Sequence, residues 1–351
     1  MTERERYILI LAGGRGERFW PWSLLERPKQ LLPLGKNGIT LLAATLQRAL
    51  RLVPRQRVIV LTASALKSAV ERECQGTGAL VLAEPMLRNT GPAIGAFASW
   101  LSRRGDPAFV VMPSDHAIDD DAAFTADVER AFEVAERDDV LVTFGIRPSN
   151  PDTNFGYIQT GERVDDRLNR VSRFAEKPDL AKAEEYVRGG YVWNSGIFVW
   201  RTSVFLKALE AAEPSLAASL RPLASASEPT AFERSLGRVF PQLDPISVDH
   251  AVLEKASNVV VIEAAFDWDD LGSWGAWARR QPRDARGNVT YGSVVVLDCD
   301  GCVVVGDGGT AAAIGLKDMV VVNANGSTLC CKLADSAAVR RIREIAEAAR
   351  R

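Results

Sequence analysis

Leu11-Ala-Gly-Gly-Arg-Gly-Glu-Arg-Phe-Trp-Pro-Trp-Ser-Leu-Leu-Glu-Arg-Pro-Lys-Gln-Leu-Leu-Pro-Leu34 follows a short apolar run and gathers three glycines and four cations in one stretch. Gly13, Gly14 and Gly16 have no Cβ, so backbone amides can converge on an anion there and a phosphate chain can approach closely. Arg18 and Lys29 supply the positive charge that loop amides lack, and Pro28 fixes the backbone just before Lys29. The stretch reads as a phosphate-handling loop. It is not a Walker A loop, which ends in Gly-Lys-Ser/Thr. Nor is it a dinucleotide fingerprint, because Phe19 stands where the third glycine belongs.

A chain of 351 residues exceeds what one core usually organises, so two domains are expected, with the boundary at 285/286. The net charge of −2 gives no basic field for nucleic acid. No apolar run approaches the ~20 residues that span a bilayer. The arginines ahead of Tyr7-Ile-Leu-Ile-Leu-Ala12 imitate a signal peptide, but the apolar part ends at once in the glycine loop and reads as a first strand. A soluble, cytoplasmic protein is expected. Cys299-Asp-Gly-Cys302 and Cys330-Cys331 raise the question of zinc. Adjacent strand residues face opposite sides, which leaves three thiol ligands, and both histidines, His116 and His250, lie in other motifs. Small buried hydrophobes in a reducing compartment are the expected role of the five cysteines.

Apolar runs at 7–11, 58–61, 80–83, 109–112 and 140–144 alternate with amphipathic stretches at 40–52, 64–73, 92–103 and 122–137. Such alternation predicts an α/β fold with a doubly wound, mostly parallel sheet, whose ligands bind beyond the carboxyl ends of the strands. The glycine loop, the segment Glu84 to Thr90 and Pro113-Ser-Asp-His116 all fall at such ends. After Asn288 the texture changes to short β runs at 294–297, 302–305, 311–314, 319–323 and 328–332, then an amphipathic helix at 336–348. That pattern predicts a separate C-terminal β module, 286–351.

Chemistry at a phosphate asks little covalent work of a protein, since a substrate phosphate is already a nucleophile; alignment and charge neutralisation are what it needs. Carboxylates able to hold Mg²⁺ are therefore more telling than a Ser or His. Asp115 stands at a predicted strand end, where a carboxylate can reach a bound nucleotide.

The glycine loop with its Phe-Trp-Pro-Trp-Ser and Arg-Pro-Lys-Gln-Leu-Leu-Pro parts resembles the nucleoside-diphosphate-sugar pyrophosphorylases, and most specifically the mannose-1-phosphate guanylyltransferases. Further motifs carry the resemblance from about residue 7 to 288. Phe266-Asp-Trp-Asp-Asp-Leu-Gly-Ser-Trp274 resembles the family's Trp-x-Asp-Val-Gly-Ser-Trp, which implies Asp115 and Asp270 as the metal ligands. Lys29 and Arg18 are implied at the triphosphate and departing pyrophosphate, beside a nucleotide set of Leu11, Ala12, Gly13, Gly14, Gly16, Glu84, Asn89, Thr90, Ala93, Ser114 and Asp115. Arg173-Phe-Ala-Glu-Lys-Pro-Asp179 implies Glu176 for sugar hydroxyls and Lys177 for the sugar's phosphate; Trp193-Asn-Ser-Gly-Ile-Phe198 implies Asn194 for the hexose, and Thr153-Asn-Phe-Gly-Tyr-Ile158 implies Gly156 for backbone approach. Trp193 and Phe198 themselves are expected in the core.

Two departures are mild, Gly91 for a usual Ala and Leu31 for a frequent Phe; Ser247-Val-Asp-His-Ala-Val-Leu-Glu-Lys255 also resembles a family segment, with His250 for Tyr. In that last segment Asp249 and Glu254 are expected to be structural or supporting. The family implies Mg²⁺ as cofactor, GTP and mannose 1-phosphate as substrates, GDP-mannose and pyrophosphate as products, and a homodimer contacting through a short left-handed C-terminal β-helix. Long-form relatives continue into a phosphomannose isomerase cupin domain, which this chain is expected to lack.

Overall fold

The computed structural model of the protein describes residues 5–14 and 16–349. The chain forms two compact units, each assembled from separated stretches. The first takes the described residues of Met1–Gly13 with Thr45–Ser114 and Ile118–Trp268; the second takes those of Gly14–Ala44, Asp115–Ala117 and Asp269–Arg351.

The first unit is built on a nine-stranded sheet. Its strands are β1 (Arg6–Leu11), β2 (Val58–Ala63), β3 (Leu80–Glu84), β4 (Ala108–Pro113), β5 (Leu141–Ile146), β6 (Tyr157–Asp165), β7 (Leu168–Ala175), β8 (Val192–Arg201) and β9 (Val259–Glu263), in the order β3-β2-β1-β4-β8-β5-β9-β7-β6. Only β7 and β8 run against the rest. The helices are α1 (Leu41–Leu52), which begins in the second unit's share of the chain, α2 (Lys67–Glu73), α3 (Thr90–Leu101), α4 (Asp121–Arg137), α5 (Leu180–Arg188), α6 (Thr202–Ala212), α7 (Pro214–Leu220) and α8 (Pro229–Val239). The runs Val-Ile-Val-Leu and Phe-Val-Val-Met are buried on both faces, as strands covered by helices on each side must be. Helix α3 of this unit is largely apolar and buried from Gly91 to Leu101.

The second unit holds its own core. Trp22 stacks on Trp274 with ring centroids 5.9 Å apart and meets Trp277 edge-on at 5.6 Å. Phe19, Leu32 and Leu34 join them, together with Val303, Val305, Val320 and Val322. Those valines belong to a four-stranded sheet of β10 (Val289–Leu297), β11 (Val303–Ile314), β12 (Met319–Ala324) and β13 (Ser327–Lys332). The first three strands pair in parallel; β12 and β13 form a hairpin across Asn325-Gly326, both at positive φ as a tight primed turn requires. The helices α9 (Trp274–Arg279) and α10 (Val339–Ala349) complete it.

The expected division at 285/286 does not follow these units. The Trp22 indole N–H donates to the Asp307 carboxylate at 2.7 Å, and the Asn325 amide donates to the carbonyls of Pro21 and Trp22. The signature Phe19-Trp-Pro-Trp22 is thus core for the C-terminal sheet, so the β module does not stand alone. Two predicted β runs, 302–305 and 311–314, are also one strand, β11: its glycines at 306, 308 and 309 form no turn, and a register shift opposite, between Gly292 and Val294, absorbs the irregularity. A Cβ on Gly292 would lie 2.1 Å from the Gly306 carbonyl oxygen. Cys299 and Cys302 are buried in a small apolar cluster, whereas Cys330 is exposed because β13 turns it outward. No helix among the described residues is long and apolar enough to cross a membrane.

Candidate active site

In the second unit the glycine loop and two acidic segments converge. Residues 115–117 reach Asp269 through an antiparallel bridge: Ala117 N–H donates to the Asp269 carbonyl at 2.8 Å and receives the reverse bond at 3.0 Å. This short ladder sets Asp115 beside Asp270. Lys29 lies between them on a single 3-10 turn, its ammonium 3.0 Å from Asp115 Oδ2 and also donating to the Asp270 carbonyl. Arg18 Nη1 is 3.8 Å from Asp270 Oδ2. Gly16, at φ +59°, allows the loop to pass Lys29: a Cβ there would fall 2.2 Å from the Lys29 amide nitrogen. The Gln30 side-chain amide donates to the Gly14 carbonyl at 3.1 Å and fixes the same loop. Leu271 sits at φ +46°, a strained conformation for a branched side chain, immediately after the carboxylate it presents.

Arg18, Lys29, Asp115 and Asp270 line a cavity of about 360 Å³. Their titration diverges. Burial alone would raise the Asp115 carboxyl, but the charges of Lys29 and His116 outweigh it and hold the group below the ordinary carboxylate range. Burial raises Asp270 and the charges of Asp269 and Asp115 add to it; Lys29 and Arg18 oppose without winning. Among the described residues no three His, Cys, Asp or Glu side chains group as a metal cage. Two carboxylates do suit a hard divalent cation such as Mg²⁺, which commonly takes one or two from protein and the rest from phosphate and water.

The other predicted residues belong to the first unit. Leu11, Ala12 and Gly13 leave the end of β1, and Ser114, buried at the end of β4, donates its N–H to the Leu11 carbonyl at 3.0 Å. Glu84 ends β3 almost wholly buried, and burial pushes its carboxyl up to about 8. Asn89, at φ +68°, accepts the Thr90 N–H with its side-chain oxygen at 2.8 Å. Thr90 Oγ1 accepts from Val248 N–H at 2.9 Å, so that hydroxyl ties down the 247–255 segment. Ala93 is buried within α3. Gly91 has a packing reason to lack a side chain: its N–H donates to the Ile246 carbonyl at 2.9 Å, and a Cβ would lie 2.7 Å from the same oxygen.

The residues expected at the sugar form a second cluster in this unit. The Asn194 N–H donates to the Gly156 carbonyl at 2.8 Å, and Glu176 Oε2 would be 2.6 Å from a Cβ on Gly156. Glu176 pairs with Lys177, which sits at φ +46° and donates its N–H to the Phe155 carbonyl at 3.2 Å. The Asn194 amide donates to Asp249 Oδ1 at 2.9 Å, while Thr143 donates to Asn194 Oδ1 at 3.0 Å. Asp249 is therefore a direct partner of a predicted sugar ligand. Burial and the charge of Glu176 raise its carboxyl to about 7. Glu254 Oε1 receives the Glu176 N–H at 3.2 Å, and its other oxygen is 3.0 Å from His250 Nδ1. Trp193 and Phe198 are buried core residues, as expected.

Sequence reasoning missed Arg340, which lines the cavity of Lys29 and Asp115 from α10. No local motif marks it: only the adjacent pair Arg340-Arg341 on an amphipathic helix hints at a basic edge.

Residues 7–286 match the family model described as nucleotidyl transferase, and residues 292–347 match one described as a MannoseP isomerase/GMP-like beta-helix domain. The chain is 38% identical to the xanthan biosynthesis protein XanB of Xanthomonas campestris pv. campestris, over 92% of its own length and 69% of that protein's. It is 34% identical to the mannose-1-phosphate guanylyltransferase of Escherichia coli K12, over 99% of its length and 74% of that protein's. A solved structure from Thermus thermophilus, described as a mannose-1-phosphate geranyltransferase, superposes with a TM-score of 0.88 at 35% identity, covering 98% of this chain and 99% of that one.

Proposed function

The chain belongs to the nucleotidyl transferase family in its mannose-1-phosphate guanylyltransferase branch, and from that premise we propose that it transfers GMP from GTP to mannose 1-phosphate, giving GDP-mannose and pyrophosphate. The observation that carries the reading is the Lys29, Asp115 and Asp270 constellation, with Arg18 at its edge. A phosphate oxygen of the sugar phosphate attacks the α-phosphorus in line; the bond to the bridging oxygen breaks, its electrons leave with pyrophosphate, and no covalent enzyme intermediate forms.

Asp115 and Asp270 would hold Mg²⁺, which when bound neutralises phosphate charge. Lys29 and Arg18 bind the triphosphate, and Lys29 meets the charge that builds on the leaving pyrophosphate. Arg18, with its planar fork, suits two phosphate oxygens at once. Lys177 takes the sugar's phosphate, Glu176 and Asn194 its hydroxyls, and Gly156 lets the ring approach the backbone. Glu84 faces the guanine, whose adjacent N–H groups suit a carboxylate.

A pyrophosphate-release assay with GTP and mannose 1-phosphate, with and without Mg²⁺, tests the reading. Release that needs both substrates and the metal is expected. Binding of GDP-mannose with no release under any condition would make the protein a sensor instead of an enzyme.

A further inference from the structure

The cavity around Lys29 has one wall from outside the segment that matches the catalytic family model. Arg340, the second residue of α10, lines it. Glu17, which directly precedes Arg18 in the glycine loop, faces two arginines of that helix: its Oε2 is 3.3 Å from Arg340 Nε and its Oε1 3.5 Å from Arg343 Nη1. The two arginines differ in setting. The Arg343 side chain is 6% exposed and the Arg340 side chain 62%, with Glu344 3.4 Å away as its other partner. Arg343 therefore serves as an anchor between helix and loop, whereas Arg340 presents its guanidinium to solvent inside the cavity, in two long ion pairs that are cheap to exchange.

The charge of the cavity gives that guanidinium a purpose. Among the described residues that line it, Glu17, Asp115 and Asp270 stand with Arg18, Lys29 and His116. Arg340 adds a further permanent cation to that lining, and its fork can take two phosphate oxygens where its present partners give it one carboxylate oxygen each.

We propose that Arg340 is a polyphosphate-binding residue: the C-terminal helix delivers it to the β- and γ-phosphates of the nucleoside triphosphate, and so to the departing pyrophosphate, with Glu17 as the carboxylate that holds it ready and releases it to the ligand. This rests on the reading of the cavity as the triphosphate site.

The test compares the full chain with Arg340→Gln and Arg340→Lys. Calorimetric titration with inorganic pyrophosphate should show affinity about tenfold weaker in Arg340→Gln, the scale of one charge-assisted hydrogen bond. Arg340→Lys, which keeps the charge and loses the fork, should fall between it and the wild type. The KM for mannose 1-phosphate and the melting temperature should stay at their wild-type values in both. Pyrophosphate affinity within twofold of wild type in Arg340→Gln overturns the proposal. So does a fall in melting temperature with both substrates weakened alike, which marks a purely structural role. The binding arm judges Arg340 even if the wild type releases no pyrophosphate, an outcome that would sink the guanylyltransferase reading alone.

Discussion

The two units set their carboxylates among different numbers of cations. Beside the glycine loop, Asp115 is held ionised by Lys29 and His116, and Arg18 and Arg340 line the same cavity. In the cluster around Asn194, Glu176 and Asp249 share one lysine, Lys177, and Asp249 is raised to about 7. On the proposed function, the chemistry of the ligands would account for the contrast. A triphosphate brings several negative charges and needs cations, with fixed carboxylates only where a divalent ion can bridge them. A hexose is neutral apart from its phosphate, and its hydroxyls both donate and accept. A carboxyl that is half protonated near neutrality can match them from either side.

The largest effect should come from removing fixed charge in the first cluster. Asp115→Asn and Asp270→Asn keep shape and lose charge, and Lys29→Ala removes the ammonium between them. Each should lower kcat by at least ~10²-fold, the scale of one preorganised electrostatic contact, with melting temperatures little changed. Near-normal turnover of either Asn variant at saturating Mg²⁺ would take that residue out of the metal site.

Lys177→Ala should act on the other side of the comparison. Its KM for mannose 1-phosphate should rise about tenfold, as for a lost charge-assisted bond, while the KM for GTP stays constant. A loss confined to GTP would mean that the two lysines serve the reverse ligands.

How far this contrast could be read from the sequence depends on distance along the chain. The strands and helices of the first unit are local: periodicity places all five predicted strands on β1 to β5, with ends moved by one or two residues. Asp115 and Asp270 can be paired only through family motifs, because the Ala117 and Asp269 bridge that unites them joins distant segments and leaves no periodic trace. Asp249 looks structural in the sequence because its role appears only once Asn194 and Glu176 fold against it. Arg340 is silent there for the same reason, since nothing in a helix sequence says which cavity it borders. The glycines of β11 mislead in the other direction: they punctuate like a turn but permit a close crossing by Gly292.

Glu84 offers an effect of similar size to Lys177, read as protons. With its carboxyl near 8, Glu84 is mostly protonated at pH 7, and guanine N–H donors favour the ionised form. GTP binding at pH 7 should therefore release a proton, visible as a dependence of the calorimetric enthalpy on the buffer's ionisation enthalpy. Glu84→Gln should abolish that dependence and narrow the preference for GTP over ATP by about tenfold. The sign for stability is also fixed. The folded pKa lies above the unfolded one, so the protonated group's contribution is complete below about pH 4.5 and is lost as pH rises through 8. Glu84→Gln should be more stable than wild type at pH 8.5 and comparable at pH 4.5 by urea denaturation; the reverse order would show that the carboxyl is not held neutral.

The smallest effect should separate the two carboxylate pairs most directly. Asp249 accepts from Asn194 and stands close enough to Glu176 to feel its charge, so ionising it adds a second negative charge where, on the proposed function, the sugar phosphate would settle. Because its carboxyl is raised, the neutral form dominates below about pH 7 and the ion above it. The KM for mannose 1-phosphate should then climb between pH 6.5 and 8.5 by a few-fold, the worth of a neutral hydrogen bond of about 0.5–1.5 kcal/mol, and the KM for GTP should not follow it. Asp249→Asn fixes the neutral state and should flatten the sugar profile while leaving its low-pH value close to wild type. Asp115→Asn should leave the slope in place, because that carboxyl is already ionised throughout the range. A wild-type profile that is flat, or one whose slope survives in Asp249→Asn and vanishes in Asp115→Asn, would assign the titration to the polyphosphate cluster and erase the distinction between the two pairs.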